Sequence, residues 1–301
     1  MTIIEQKLKA PFPYFGGKSR IAHEVWARFG DVPNYVEPFA GSLAVLLARP
    51  TPPRIETVND IDCFLTNFWR ALRNDPDGVA KWADYPVSEI DLHARHRWLV
   101  EQKDFIEAMR SDPYYYDVQI AGWWVWGICA WIGGGWCRDS QSKQRPHLGT
   151  AGEGVHRVGI DNLHNYFAAL SARLRRVRVC CGDWKRVCTP AVTFSARNGL
   201  TGVFLDPPYG KATGRDMGCY SFDPYDVTRE VHTWCVENQD NPKLRIALCG
   251  YEGEYDLPGW ECLAWKANGG YGSQGNGAGR ANRHRERVWF SPHCLKQELL
   301  S

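Results

Sequence analysis

The sequence has no long hydrophobic run. No stretch of about 18 uninterrupted apolar residues occurs among its 301 residues, so no membrane-spanning helix is predicted. The first seven residues, MTIIEQK, also lack the pattern of a secretory signal peptide. We therefore expect a cytoplasmic protein with no membrane partner.

The sequence also lacks the cysteine spacing of a zinc or redox motif. Its eleven cysteines are scattered, and no two are separated by the two residues typical of those motifs. Cys129, Cys180 and Cys249 lie among apolar neighbours, which favours buried free thiols over a disulfide framework. We expect no metal site.

A strong net charge is missing as well. The formal charge is only +2, so the composition alone does not predict a nucleic-acid partner. Basic residues are nevertheless concentrated in one stretch near residues 138–157 and another within residues 266–296. The candidate DNA-binding residues are Arg138, Lys143, Arg145 and Arg157 in the first stretch, and Arg280, Arg283 and Arg285 in the second. Such stripes can neutralise phosphates, although a solvated surface explains either stripe alone equally well.

The most informative stretch is a short apolar run, residues 202–205, that leads into Asp206, Pro207, Pro208 and Tyr209. The run predicts a buried strand of a parallel sheet, and open α/β sheets bind ligands at the carboxyl ends of such strands. The two prolines stiffen the exit from the strand. Asp206 and the Pro207 carbonyl could accept the hydrogens of a planar amine whose ring stacks on Tyr209. The alternative is an ordinary strand exit with a surface acid.

A predicted strand, a glycine turn and an apolar helix lie near the N-terminus. The residues of the turn are Glu37, Pro38, Phe39, Ala40 and Gly41. This order is typical of a nucleoside-binding element. An acid about twenty residues later is placed to bind ribose hydroxyls, and Asp60 is the first candidate, with Asp62 second. Asp62 could instead cap the helix that begins near Phe64, or serve both purposes.

Residues 11–20 form a rigid, aromatic entry to a further predicted helix. The Gly16-Gly17 turn lets the backbone approach a ligand closely. Lys18 could meet a carboxylate there, and Ser19 is a candidate N-cap.

The character of the sequence changes between residues 76 and 159. Helical spacing over residues 76–85 and 88–109 leads into a segment rich in tryptophan and tyrosine, most of which we expect to form the core of a helical insert. A glycine-rich turn and a basic loop follow Trp131, and packing explains them less well. The chain thus divides into a first part (1–75), an insert (76–159) and a second part (160–301). The second part contains the strand before Asp206, a further strand at 244–250 and a closing antiparallel pair near 260–267 and 287–290.

Three of these segments make the chain resemble the Dam-type, α-group DNA adenine N6-methyltransferases, of a phage- or prophage-like kind. They are the Asp206–Tyr209 tetrad, the Glu-Pro-Phe-x-Gly motif and the N-terminal Gly-Gly-Lys turn. The resemblance implies an α/β fold with a Rossmann-like, mostly parallel seven-stranded sheet, helices on both faces and a helical target-recognition insert. One departure is Leu43, which stands where many relatives have a second glycine.

The resemblance also implies a cofactor, a partner and roles for single residues. The cofactor is S-adenosyl-L-methionine, and the partner is double-stranded DNA. The implied cofactor-binding residues are Tyr14, Gly17, Lys18, Glu37, Pro38, Phe39, Ala40, Gly41, Asp60, Asp183, Trp184 and Asp206. Residues 133–158 are the candidate DNA reader. Arg138 directly follows the glycine-rich turn of this segment, so we expect it to read a guanine, whereas Arg283 and Arg285 lie beside the glycine-rich loop 269–279 and are expected to contact phosphates.

The expected activity is methyl transfer to N6 of a flipped adenine. The alternatives are an RNA or protein-amide methyltransferase and a DNA-binding relative without catalysis. Asp at position 206, together with the aromatic and basic insert, favours DNA adenine. A restriction endonuclease partner is not required, and both a monomer and a homodimer stay open.

Overall fold

The structure is a computed structural model. It describes residues 8–14, 17–102, 104–132, 136–137, 145–148, 153–157, 160, 162–208, 224–265 and 285–296.

The described strands form one sheet in the order β3-β2-β1-β4-β5-β7-β6. They are β1 (Asn34–Glu37), β2 (Ile55–Asp60), β3 (Arg178–Cys181), β4 (Thr201–Leu205), β5 (Leu244–Tyr251), β6 (Glu261–Ala264) and β7 (Glu286–Phe290). The first five pair in parallel, and β7 pairs antiparallel with β5 and β6. This confirms the Rossmann-like, mostly parallel seven-stranded sheet and its antiparallel closing pair.

Strand β4 shows why the central strands are apolar without alternation. It lies between β1 and β5, and all five of its residues are buried. Phe204 packs into the hydrophobic cluster on one face of the sheet, whereas Val203 and Leu205 pack into the cluster on the other. Helices and loops therefore cover both faces, as in other parallel sheets.

The helices of the described segments surround this sheet. They are α1 (Ala22–Phe29), α2 (Ala44–Leu47), α3 (Cys63–Asn74), α4 (Pro76–Ala83), α5 (Glu89–Glu101), α6 (Asp104–Ser111), α7 (Val118–Ile128), α8 (Leu163–Leu174), α9 (Pro190–Thr193) and α10 (Pro224–Asn238). The pattern over residues 88–109 belongs to two helices, because α5 ends at Glu101 and α6 begins at Asp104. None of the helices in the described part of the chain is long and apolar enough to cross a membrane.

The aromatic insert packs directly on the sheet's own helices. Helix α7 contacts α3 and α4, and α4 contacts α8. Trp124, Trp126 and Trp131 are buried in the same hydrophobic cluster as the sheet residues Tyr35 and Phe204. These tryptophans are core residues, as their pattern predicted.

The topology fixes where a ligand can bind. The strand order reverses between β1 and β4. The chain continues from β1 to β2 on one side and from β4 to β5 on the other, so it leaves these two adjacent strands in opposite directions across the sheet. A crevice at the carboxyl ends of the strands is the usual ligand site at such a point. The ends of β1, β2 and β4 and the segments that follow them contain most of the catalytic and cofactor-binding residues predicted from the sequence.

Candidate active site

The segment that follows β4 is held by a neighbouring helix. Pro207 is buried, and the carbonyl of Pro208 accepts a hydrogen bond from Thr228 Oγ1 of α10 at 2.9 Å. This contact fixes the exit from the strand in addition to the restriction from the two prolines. Thr228 was not predicted, because nothing in its local sequence marks it. Tyr209 lies outside the described residues.

Lys18 and Asp206 form an ion pair that joins the N-terminal segment to the end of β4. Lys18 Nζ lies 2.9 Å from Asp206 Oδ2, and the two side chains are only 6% and 17% exposed. Burial alone lowers the pKa of Lys18, but the charges of Asp206 and Glu286 outweigh it and the pKa is raised above its ordinary value. Lys18 therefore stays protonated and meets Asp206 as a cation.

The backbone before α1 holds Lys18 in place. The N–H groups of Ile21 and Ala22 donate to the Lys18 carbonyl at 3.1 and 3.0 Å. Ile21 is the N-cap residue and makes no side-chain cap bond, so the predicted cap at Ser19 is wrong. The ammonium group also lies 5.7 Å from the ring centroid of Trp265.

Two more buried carboxyl groups act on this ion pair. Glu286 begins β7 and contributes to the raised pKa of Lys18. Glu37 ends β1, and burial raises its pKa to about 8, although the hydrogen bond from Tyr35 Oη at 2.9 Å opposes this shift. The negative charge of Asp206 raises the pKa of Glu37 further. Glu37 is thus mostly protonated near neutral pH, which limits the negative charge around one lysine.

Glu37→Gln is expected to remove a pH dependence of folding stability. Because the folded-state pKa of Glu37 is raised from 4.5 to about 8, its contribution is fully present below 4.5 and is lost as the pH rises through 8. This loss amounts to roughly 4 kcal/mol in the wild-type chain. Urea unfolding across this pH range should show a smaller loss of unfolding free energy for Glu37→Gln than for the wild type. The exposed-site variant Glu237→Gln should behave like the wild type, and an equal loss for Glu37→Gln would contradict the assignment.

The glycine turn after β1 lies under an aromatic ring. Gly41 has a φ of +47°, and a Cβ at this position would lie 2.6 Å from Cδ1 of Tyr14. Only glycine therefore allows this contact between the two predicted cofactor segments. Leu43 also has a positive φ, +59°, and its side chain is buried. Leu43 therefore adopts a backbone conformation that usually favours glycine.

Asp60 and Asp62 hold the two turns beside this site. Asp60 Oδ2 accepts from the N–H of Gly41 and Oδ1 from that of Asp62, each at 3.0 Å. Burial and the charge of Asp62 raise the pKa of Asp60 to about 7. Asp62 accepts from the N–H groups of Phe64 and Leu65 at 2.9 and 3.3 Å, so the predicted cap of α3 is confirmed. A ribose contact of Asp60 stays a prediction.

Asn59 is a site residue that was not predicted. Its Nδ2 donates to the carbonyls of Pro38 and Gly182 at 3.0 and 2.9 Å, which ties the loop after β1 to the loop after β3. Its Oδ1 is buried and has no hydrogen-bond partner among the described residues. A polar residue next to Asp60 in a buried strand was the only available signal.

The two residues predicted to flank an adenine have different environments. Trp184 is buried, and its ring centroid lies 5.9 Å from that of the half-buried Phe39. Asp183 is exposed and accepts from the N–H of Lys185 at 2.8 Å. The structure therefore brings Phe39, Trp184 and Asp183 to the same end of the sheet as Asp60.

This arrangement of segments coincides with a family match. Residues 14–120 match the family of D12 class N6 adenine-specific DNA methyltransferases. The match confirms the resemblance to the Dam-type adenine methyltransferases and supports methylation of adenine in DNA. It includes Lys18, the Glu37–Gly41 turn and Asp60, and it ends before Asp206. No curated protein matches the chain.

The D12 match does not include the predicted DNA-binding residues. Arg138, Lys143, Arg280 and Arg283 lie outside the described residues. Arg145 is exposed. Arg157 is half-buried and its Nη2 donates to the Ala10 carbonyl at 3.0 Å, which indicates a structural role. Arg285 begins the approach to β7, with its guanidinium 5.7 Å from the Tyr251 ring centroid.

Proposed function

We propose that this chain transfers the methyl group of S-adenosyl-L-methionine to N6 of an adenine flipped out of duplex DNA. The observation that carries the proposal is the ion pair between Lys18 and Asp206. It connects the segment that begins the D12 match with the acid of the tetrad, at the carboxyl end of a central strand. The catalytic residues in this proposal are Asp206, Pro207, Pro208 and Tyr209.

The residues around the Gly41 turn fit a nucleoside-containing cofactor. Gly41 has no side chain, and a Cβ at this position would lie 2.6 Å from the ring of Tyr14. The Asp60 carboxyl group, the exposed Asp183 carboxylate and the half-buried Phe39 ring offer polar and aromatic contacts for an adenosine. When bound, S-adenosyl-L-methionine supplies an electrophilic methyl group.

The tetrad acts on the amine that receives the methyl group. Asp206 and the Pro207 carbonyl accept the two N6 hydrogens, so the nitrogen lone pair points away from both acceptors. The Tyr209 ring stacks on the base. Holding the reacting atoms in line is the main catalytic contribution.

The proton balance requires no strongly shifted base. Methyl transfer makes N6 cationic, and one of its hydrogens already bonds to Asp206. This proton leaves to the carboxylate or to water after the transfer. Lys18 Nζ lies 2.9 Å from Oδ2 of the same carboxylate and holds it in position.

The test is chemical analysis of methylated products. The full chain is incubated with S-adenosyl-L-methionine that carries a labelled methyl group. Parallel reactions contain duplex DNA, RNA or protein as the methyl acceptor. Label in N6-methyladenine from duplex DNA supports the proposal. Label only in RNA or in protein amides establishes the corresponding alternative, and cofactor binding without transfer to any of them indicates a DNA-binding relative.

Asp60→Ala is expected to weaken cofactor binding by about 1–3 kcal/mol, because ribose hydroxyls would lose a partner in a closed site. Asp60 also holds the N–H of Gly41, so the turn would loosen in the same direction. Titration calorimetry checks the change. Asp75→Ala is the matched control. Asp75 caps α4 and accepts from the N–H of Gly78 at 2.8 Å, so its removal should destabilise the fold by about 0.5–2 kcal/mol and leave the affinity nearly unchanged. Unchanged affinity in Asp60→Ala would move the ribose contact to Asp62 or elsewhere.

Arg285→Ala is expected to weaken binding to all duplexes about equally. It should also lower the slope of log affinity against log salt concentration by about one. A phosphate contact carries no sequence information, which is the reason for the uniform loss. Arg287 is the control, because its guanidinium is paired with Glu252 at 2.7 Å and Arg287→Ala should leave the slope unchanged. Affinities for duplexes that differ by one base pair, measured at two salt concentrations, distinguish a phosphate contact from a base reader. A loss confined to one base pair would make Arg285 a base reader.

A further inference from the structure

Two thiols meet beside the carboxyl ends of β2 and β3. The Sγ atoms of Cys63 and Cys181 are 3.9 Å apart, and both side chains are half-buried. A disulfide bond requires a separation of about 2.05 Å, which rotation of the two side chains would have to provide.

The sheet register brings these two cysteines together. Strands β2 and β3 are parallel, with Asp60 beside Cys181, and the N–H of Gly182 donates to the Asp60 carbonyl at 3.0 Å. Asp62 caps α3, so Cys63 is the first residue of this helix, three positions after Asp60. The backbone on both sides of the thiol pair is thus fixed by hydrogen bonds.

The environment favours a thiolate at this pair. The hydrogen bond with the Cys63 thiol lowers the pKa of Cys181 to about 6. The N-terminus of the 12-residue α3 also favours negative charge nearby. Burial instead raises the pKa of thiols such as Cys129, Cys235 and Cys249, which makes those thiols poor nucleophiles.

We propose that Cys63 and Cys181 are a redox-active thiol pair, which hydroperoxides oxidise to a reversible disulfide. The Cys181 thiolate attacks one peroxide oxygen, the O–O bond breaks and hydroxide leaves, which gives a sulfenic acid. The Cys63 sulfur then attacks the Cys181 sulfur, the S–O bond breaks and water leaves. In total, two thiols and one hydrogen peroxide give one disulfide and two waters.

The disulfide would link the first turn of α3 to the end of β3. Asp60 and Asn59 lie between these points, and both bond to the loops that the cofactor is proposed to contact. Drawing Cys63 toward Cys181 would shift the segment that contains Asp60 and Asp62. We expect the cofactor affinity to fall by about fivefold or more, an effect that rests on the proposed function.

The pair itself is tested by mass spectrometry on the full chain. The protein is treated with hydrogen peroxide, unfolded and alkylated, with and without prior reduction by dithiothreitol. We expect the loss of two hydrogens, two fewer alkylated thiols, and one linked peptide pair that contains Cys63 and Cys181. Cys63→Ser and Cys181→Ser should each abolish the link, whereas Cys262→Ser, at an exposed thiol of β6, should retain it. Two unlinked thiols in the oxidised wild-type chain, or a link through Cys180 or Cys137, would overturn the proposal.

Calorimetry on the reduced and oxidised protein separates the two hypotheses. Weaker binding of S-adenosyl-L-methionine after oxidation, absent in Cys63→Ser, supports the coupling to the cofactor site. A mapped disulfide with unchanged affinity overturns that coupling only. If the chain methylates no DNA but the disulfide still forms, the proposed function fails and the thiol pair stands.

Discussion

Asp206→Ala is expected to slow methyl transfer to duplex DNA by roughly a hundredfold or more, because the target amine loses the group that orients it. The affinity for S-adenosyl-L-methionine should change only a few-fold, since in the proposed mechanism the carboxylate contacts the amine. Single-turnover rates and calorimetry on the same preparation check both results. Asp206→Asn should also be impaired, because the amide cannot form the ion pair with Lys18 that the carboxylate makes at 2.9 Å.

A matched control for this variant is Asp226→Ala. Asp226 is an exposed acid in the first turn of α10, the helix whose Thr228 holds Pro208. Its removal should leave the transfer rate close to that of the wild type. Near-normal turnover in Asp206→Ala would show that another group orients the amine.

The sheet could be predicted because each central strand has a local signature. Val203, Phe204 and Leu205 form an apolar run that is long enough for a strand but too short for a helix. The chain then turns at Asp206, where the prolines end regular pairing. The cap at Asp62 was predictable for the same reason, since its partners are the next few residues.

The contacts that assemble the site could not be predicted in this way. Lys18 meets Asp206 because the tertiary fold brings the segment before α1 to the end of β4, and no pattern near either residue encodes the pairing. The same holds for Asn59, which joins Pro38 to Gly182, and for Thr228. Such contacts depend on the tertiary arrangement of segments that are far apart in the sequence.

The ion pair changes the interpretation of the N-terminal segment. The resemblance implies that Lys18 binds the cofactor, whereas the structure places its ammonium group on the Asp206 carboxyl group. A lysine that contacts both would couple cofactor binding to the position of Asp206. Two buried carboxyl groups act on the same pair, because Glu286 interacts electrostatically with Lys18 and Glu37 with Asp206.

Lys18→Met should therefore lower both the stability and the activity. The substitution removes the ion pair that Lys18 Nζ makes with Asp206 Oδ2 at 2.9 Å between two largely buried side chains. Removing one partner of a buried ion pair typically costs about 3–5 kcal/mol. Urea unfolding of the variant should show a deficit of this size relative to the wild type.

The transfer rate of the folded variant should fall as well, because Asp206 loses the contact that holds its carboxyl group at the end of β4. Urea unfolding and single-turnover rates measure the two effects on one protein. Lys185→Met is the control, since the exposed pair of Lys185 with Glu230 at 3.0 Å should contribute no more than about 1 kcal/mol. If folded Lys18→Met transfers methyl groups at the wild-type rate, Lys18 does not position Asp206 for the reaction.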